Sequence, residues 1–367
     1  MKILAKSAKI AALAALTVTA TSVQAQSVQK LSASKANDYG LIYSLPRTVV
    51  DITIEAEHTE KTPGEFYNYA KLKLGKSDAI TRKDKSVAIK SVTIVPRGVA
   101  DADNRWTVKF KAGSTPYIIL ADNNCPVAVN TEQTAETATV ELPEAVEAAP
   151  TPLETAAAGQ AITQEMTLSS SLSKRADLVA QRIFELRETR SDLISGQAEN
   201  TPPDGKSLQL ALDNLSAQEA ALTAMFEGTT KKYTTVSTVT FEPDSESIND
   251  EIFVRLSPVD GIVDANDLSG APIYISVDIL EQGELPLGEK GEPRTFPKGG
   301  LAYTIPGRAL ITLTYEGQTI AREEISLAQL GVTFGLDPGL FTDKKQPSKL
   351  QLDPATGAIV LLGPVDE

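Results

Sequence analysis

Hydrophobic residues in this chain change their period twice, and that change constrains the fold more than any other feature. Over the first part they recur at every second position. Ile52, Ile54 and Ala56 share one side of a stretch whose other side carries Asp51, Glu55 and Glu57. Trp106, Val108 and Phe110 alternate in the same way with Thr107, Lys109 and Lys111. Such alternation places one face of a strand in a core. From Leu172 the spacing becomes three, four and seven, through Ala176, Val179, Ile183, Leu186 and Leu193, and again through Leu208, Leu212, Leu215, Leu222 and Phe226. That is the signature of amphipathic helices. Beyond residue 231 the period returns to two, with Ile273, Ile275, Val277 and Ile279 on one face and Ala309, Ile311, Leu313 and Tyr315 on another. The expected fold is mostly β with an inserted α-helical hairpin, an α+β protein with a β-sandwich-like C-terminal region.

The breakers divide this pattern. Residues 39–130 read as an N-terminal β-rich domain with one short helix. Thr62-Pro63-Gly64-Glu65 supplies a cap, a first-turn proline and a capping-box glutamate for that helix, which Gly75 ends. Residues 131–164 are rich in Ala, Glu, Thr and Pro, lack aromatics and hold no period, so a flexible linker is expected, with a short strand near residues 138–142. Residues 168–228 form the helical hairpin, its connection marked by Asn200-Thr201-Pro202-Pro203-Asp204-Gly205. Residues 231–367 form the C-terminal domain, closing on a hairpin turn at Asp353-Pro354-Ala355-Thr356-Gly357.

Residues 1–25 have the three parts of a secretory signal: Lys2, Lys6 and Lys9, an apolar run from Ile10 to Ala20, and a small residue at Ala25. The apolar run is shorter than the roughly 20 residues a spanning helix needs, and no later segment spans. The expected mature chain begins at Gln26 and is soluble in the periplasm or associated with the outer membrane. Losing three lysines makes an already acidic chain, net charge −13, more so. Nucleic acid and anionic membrane surfaces are poor partners for that balance.

Chemistry-bearing residues are few. Cys125 is the only cysteine and His58 the only histidine, so neither a disulfide within the chain nor a zinc site of several His or Cys ligands can be built. Trp106, the one tryptophan, sits on the apolar side of its strand and reads as a core anchor. Asp264, Asn266 and Asp267, with Asp260, offer oxygen ligands of the kind calcium takes, but their spacing departs from the calcium-loop pattern and reads instead as a turn before a strand, so no metal is expected. Carboxylate pairs such as Glu55 and Glu57, Asp101 and Asp103, or Glu323 and Glu324 select nothing among 48 acidic residues. No cofactor is expected.

Several segments together resemble an uncharacterised family of exported Bacteroidales proteins, domain of unknown function 4831. They are Gly40-Leu41-Ile42-Tyr43-Ser44-Leu45-Pro46-Arg47-Thr48, Thr62-Pro63-Gly64-Glu65-Phe66, the helix pair around Arg187-Glu188-Thr189-Arg190 and Gln218-Glu219, the stretch from Asp264 to Pro272, Ile305-Pro306-Gly307-Arg308-Ala309, and the final turn. The resemblance implies the envelope of a Gram-negative anaerobe and a helical hairpin between β regions. It carries no catalytic residues with it.

The expected role is therefore non-enzymatic: a structural or adaptor protein binding another envelope component. Arg187, Arg190 and Asp192, on the charged face of the first long helix, are the expected partner contacts. So are Arg294 and Phe296, in the Gly/Pro-rich excursion at residues 281–300, a loop length usually kept for function. A carbohydrate-binding accessory of glycan uptake is the second reading, opposed by the small aromatic content. A hydrolase of unfamiliar type is the third.

Overall fold

The computed structural model describes residues 40–109, 116–135, 140–200, 202, 205–343 and 345–365. The expected signal peptide, Phe110 and Lys111, part of the hairpin connection, and residues 136–139 of the expected linker strand lie outside them. Residues 140–142 have no regular structure.

The chain opens on two unusually long strands, β1 (Gly40–Thr62) and β2 (Asp84–Lys109), with the short helix α1 (Ala70–Leu74) between them. Two short strands follow, β3 (Ile118–Leu120) and β4 (Pro126–Val129). The helices come next: α2 (Ala156–Ala161), α3 (Gln164–Leu168), α4 (Leu172–Ser195) and α5 (Gly205–Glu227). β5 (Thr229–Phe241), β6 (Ile248–Ser257), β7 (Gly261–Asp264), β8 (Ala271–Glu281), β9 (Leu301–Tyr315) and β10 (Gln318–Leu336) complete most of the remainder. α6 (Gly339–Thr342) then leads to β11 (Ser348–Leu352) and β12 (Ile359–Pro364).

These strands form three antiparallel sheets, ordered β2-β1-β5, β10-β9-β8-β6-β7 and β12-β11-β4-β3. The first two face each other across the main core. Val50, Ile52, Ile54 and Ala56 of β1 meet Ile273, Ile275 and Val277 of β8 and Ala309, Ile311 and Leu313 of β9. These are the residues whose alternation marked them as buried. The sandwich is thus real, but one of its layers is led by the N-terminal strand.

That placement corrects the expected boundary at the linker. β5, from beyond the helices, pairs with β1 from Val50↔Phe241 to Thr62↔Thr229, and β4 pairs with β11. Residues from Tyr39 onward belong to one contact unit. Alternation reports which face of a strand is buried, whereas neighbours in an antiparallel sheet can come from any distance along the chain.

Two irregularities let the long ribbons serve two cores. Between Ser44↔Arg105 and Pro46↔Ala100, four residues of β2 span a single residue of β1. Between Leu327↔Gly307 and Val332↔Ile305, four residues of β10 span Pro306 alone. Each shift falls at a proline, which has no N–H to give to a ladder and is tolerated in a sheet chiefly at edges and bulges. Beyond the shifts, Tyr43, Leu45, Leu301, Tyr303 and Phe334 enter a second core with Leu350 and Leu352 of β11. The buried side of β1 accordingly changes from odd positions, Tyr43 and Leu45, to even ones, Val50 to Ala56.

The helices make a third core around Phe66, Ala176, Val179, Ile183, Leu186, Leu222 and Phe226. Phe66 arrives from the end of β1, not from the helix start expected there. Thr62 is still paired in the sheet, and regular helix begins only at Ala70. The reason is the close approach of α5: Phe66 N–H donates to the Met225 carbonyl at 2.7 Å, and a Cβ on Gly64 would lie 2.3 Å from that same oxygen. Glu65 bonds to Arg175 of α4 at 2.7 Å instead of closing a capping box.

The flexible linker also needs correction from residue 151 onward. Thr151 and Glu154 form a capping box on a short 3-10 turn, and α2 and α3 bury Ala161 and Met166 in the helical core. The alanines that looked like low-complexity sequence are small side chains that let α2 lie close on α5. Only residues 140–150 match the expectation of extended, mostly exposed chain, and even there Val146 pairs with Thr234 on the open edge of β5 at 2.9 Å. Covering an edge strand blocks unwanted pairing.

Candidate functional site

The hairpin of α4 and α5 is built in two unlike halves. In the near half, Val179, Ile183 and Leu186 of α4 and Leu222 and Phe226 of α5 are buried, as their spacing required. Each such side chain is worth roughly 1.5–3 kcal/mol when withdrawn from water. Phe66 and Phe226 lie with ring centroids 5.4 Å apart, and the Arg175 guanidinium covers Phe66. From residue 187 to residue 220, none of the described residues is buried. There Leu208, Leu212 and Leu215 are only half-covered.

Where apolar burial stops, a charged clasp begins. Glu219 of α5 receives Arg187 Nε on one carboxylate oxygen and Arg190 Nη1 on the other, both at 2.6 Å. Arg187 also lies over the ring of Phe184. Asp192 ends the helix through its main chain: its carbonyl accepts the N–H groups of Gly196, Gln197 and Ala198. Gly196 is left-handed, at φ 73°, as the end of a helix favours. Arg187 and Arg190 are thus brought together, but toward the neighbouring helix.

Large apolar side chains lie beyond the clasp. Ile194, in the last turn of α4, is 68% exposed, and Leu210, in the second turn of α5, is 72% exposed. Leu210 lies on the side of α5 opposite its apolar stripe, whereas Ile194, eleven residues after Ile183, continues the stripe of α4 beyond the buried half. Leu210 shows in the sequence as a departure from the spacing of Leu208–Leu212–Leu215.

The other expected contact region folds back on the body. Phe296 stacks on Trp106, with centroids 5.1 Å apart and planes 9° apart, and meets the edge of Phe334. Trp106 anchors a core margin, half-buried, with its indole N–H on Asn104 at 2.6 Å. Arg294 turns inward on its own loop, its N–H to the Pro286 carbonyl and its side chain to that of Leu287.

Asp264, Asn266 and Asp267 form consecutive turns. Asp264 accepts from the backbone and side chain of Asn266, both at 2.9 Å, and Asp267 accepts from Ser269 N–H at 2.9 Å. Those bonds from Ser269 hold the Asp267 carboxyl below the usual range. Two carbonyl oxygens of the loop, at Ala265 and Gly270, already receive the Arg255 guanidinium, whose charge opposes a cation. Among the described residues no group of three or more His, Cys, Asp and Glu side chains could hold a metal.

Cys125 and His58 have separate partners. Burial pushes the thiol up to about 11, and it donates to the Asn123 carbonyl. His58 stacks on Tyr233 and bonds Thr235 at 2.9 Å. Glu55 and Glu57, adjacent on one strand face, are each bound to a lysine, Lys90 and Lys232. Hydrogen bonds from Lys90 and Ser91 hold the Glu55 carboxyl below its ordinary value.

An antiparallel α+β protein with a helical hairpin set between its long ribbons is the class that this architecture defines. The chain belongs to the family described as domain of unknown function DUF4831, whose model matches residues 39–360. No curated protein and no solved structure matches it. Among the described residues, no helix is long and apolar enough to cross a membrane.

Proposed function

We propose that this is an exported, non-enzymatic structural or adaptor protein of a Gram-negative cell envelope, and that the far half of its helical hairpin is the arm that docks on another envelope protein. The observation carrying this reading is the combination of Ile194 and Leu210, both exposed beyond the clasp, on a hairpin that buries nothing from residue 187 to residue 220 among the described residues. Exposed apolar side chains on a half of the hairpin that the core does not cover suit a protein contact. Arg187 and Arg190 serve that contact indirectly, by keeping the two helices in register.

The carbohydrate and hydrolase alternatives gain less support. Trp106 and Phe296, aromatic candidates for a sugar platform, turn ring faces to each other. Cys125 and His58 are not each other's partners.

A photo-crosslinking residue at position 194 or 210, in intact cells, should give one discrete adduct with another protein. The same residue at Val259, also well exposed but remote in sequence from the hairpin, should give none. The captured chain should begin at Gln26. The docking reading fails if positions 194 and 210 give no adduct, or if Val259 gives the same one. A retained Met1 overturns export.

A further inference from the structure

The two three-residue register shifts fall side by side, and a cavity of about 330 Å³ lies between them. The β2 bulge contributes Asp101 and Asn104 to its wall, the β10 bulge Gln329, and β1 contributes Arg47; Asp244 and Ser245 close it after β5. Its floor is fixed. Gln329 donates to the carbonyls of Thr48 at 2.9 Å and Pro243 at 2.8 Å and accepts from Thr48 N–H at 3.2 Å, standing in for a missing sheet partner. Thr48 Oγ1 donates to the Ala355 carbonyl at 2.9 Å and accepts from Ala328 N–H at 3.0 Å. A Cβ on Gly331 would lie 2.3 Å from the Ile305 carbonyl oxygen, so that position admits no side chain.

Two groups of opposite charge keep hydrogen-bonding capacity in this wall. Arg47 bonds Asp244 through Nη2 at 3.0 Å, and its Nε is buried without a partner among the described residues. A guanidinium has five N–H donors, so most of this one's capacity is unused. Asp101 accepts one bond, from Asp103 N–H at 3.0 Å, through a single carboxylate oxygen. The remaining lining is mostly polar, with Asn104, Ser245, Gln329 and two threonines beside Pro46 and Ala328. Polyanions are opposed by the two carboxylates, and apolar ligands by the polar wall. The volume is at the small end of ligand sites.

We infer that the seam cavity binds a small zwitterion, a free amino acid or a short peptide, with its carboxylate on Arg47 and its ammonium toward Asp101. This site is separate from the hairpin and stands or falls without it. Titration calorimetry on the full mature chain tests it, with alanylalanine and lysine as probes. Alanylalanine amide, which lacks the carboxylate, and acetylalanylalanine, which lacks the ammonium, are the comparisons. The expected result is saturable binding of at least one zwitterionic probe at one site. Each blocked peptide should bind about tenfold more weakly or worse, the usual effect of losing one charge-assisted bond.

Arg47→Gln and Asp101→Asn should each weaken binding by a similar factor. Arg97→Gln, on the outer sheet face where Arg97 bonds Asp51, should leave it unchanged. Asp101→Asn keeps the shape of the side chain and its acceptor for Asp103 N–H, so it reports on charge even if Arg47→Gln disturbs the fold. Silent titrations with both probes overturn the inference. So does equal binding of the blocked peptides, or unchanged affinity in Asp101→Asn.

Discussion

The near and far halves of the α4–α5 hairpin are continuous helices held by different forces. The near half has Phe226, Leu222 and Ile183 in a shared core with Phe66 from the end of β1. The far half has one carboxylate, Glu219, between two guanidinium groups. Apolar burial is not screened by salt and is cooperative with the whole molecule. A partly exposed ion cluster is screened and local. A single helical hairpin can therefore be part of the fold at one end and an independently loosened arm at the other.

The largest effect should come from the near half. Phe226→Ala removes a fully buried ring and is expected to cost about 3–5 kcal/mol of global stability, read from denaturant unfolding. Leu210→Ala, in the far half, should stay within about 0.5 kcal/mol. Comparable losses at the two positions would erase the distinction between the halves.

Glu219→Gln should have a smaller and differently distributed effect. It removes the shared negative charge, worth about 1 kcal/mol for a partly exposed cluster, and leaves Arg187 and Arg190 to repel each other. Hydrogen exchange should quicken through residues 187–220 while amides of the near half keep their protection. Raised salt should produce a weaker version of the same change in the unaltered protein. Quickened exchange spread evenly over α4 and α5 would mean that the clasp supports the whole hairpin.

The smallest effect concerns the strap made of the extended residues 140–150 and the 3-10 turn at residues 151–154, whose turn packs on α5. Glu154 bonds Lys231 at 2.6 Å and also receives Thr151 N–H, and these bonds hold its carboxyl at about 2, below the ordinary 4.5. A depressed carboxylate stabilises the folded state above its unfolded pKa, and the contribution is lost as pH falls through the folded one. The turn at residues 151–154 should therefore loosen between about pH 4.5 and about pH 2. Limited proteolysis with an acid-active protease should then show new cuts extending from residues 140–150 into this turn. Glu154→Gln should show them already at neutral pH. Cuts confined to residues 140–150 throughout would show that α2 holds the strap without Glu154.

Much of the fold was legible in the sequence because one face of most elements is apolar. The strands of Ile52–Ile54–Ala56, Ile273–Ile275–Val277 and Ala309–Ile311–Leu313 and the stripe of Ala176, Val179, Ile183 and Leu186 bury as their periods required. Partnership was not legible. Nothing local to residues 50–62 shows that their second neighbour is β5, so the boundary expected at the linker is one that the sheets ignore. Arg187 and Arg190 read as contacts for a partner because helical spacing cannot show Glu219 on the opposite helix. Phe296 read as a loop contact because its partner, Trp106, lies far away in sequence. The seam cavity left only two traces, Pro46 and Pro306 inside otherwise continuous strands. Its charged groups, Arg47 and Asp101, looked no different from the rest of the polar surface.

The pairing of β1 with β5 also bears on how the chain closes up. A sheet whose neighbouring strands are separated by the 166 residues from Pro63 to Gly228 faces a large loop-closure entropy, and such non-local pairing slows folding. Here the intervening helices shorten the problem. Phe66 meets Met225 at the base of the hairpin, and the first pair of the β1–β5 ladder, Thr62↔Thr229, lies just beside that contact. Once the hairpin packs on Phe66, the loop still to be closed shrinks to a few residues at its base. The ladder can then extend pair by pair toward Val50 and Phe241. The helical insertion is thereby a bridge between distant parts of the chain during assembly, as well as an arm in the finished molecule.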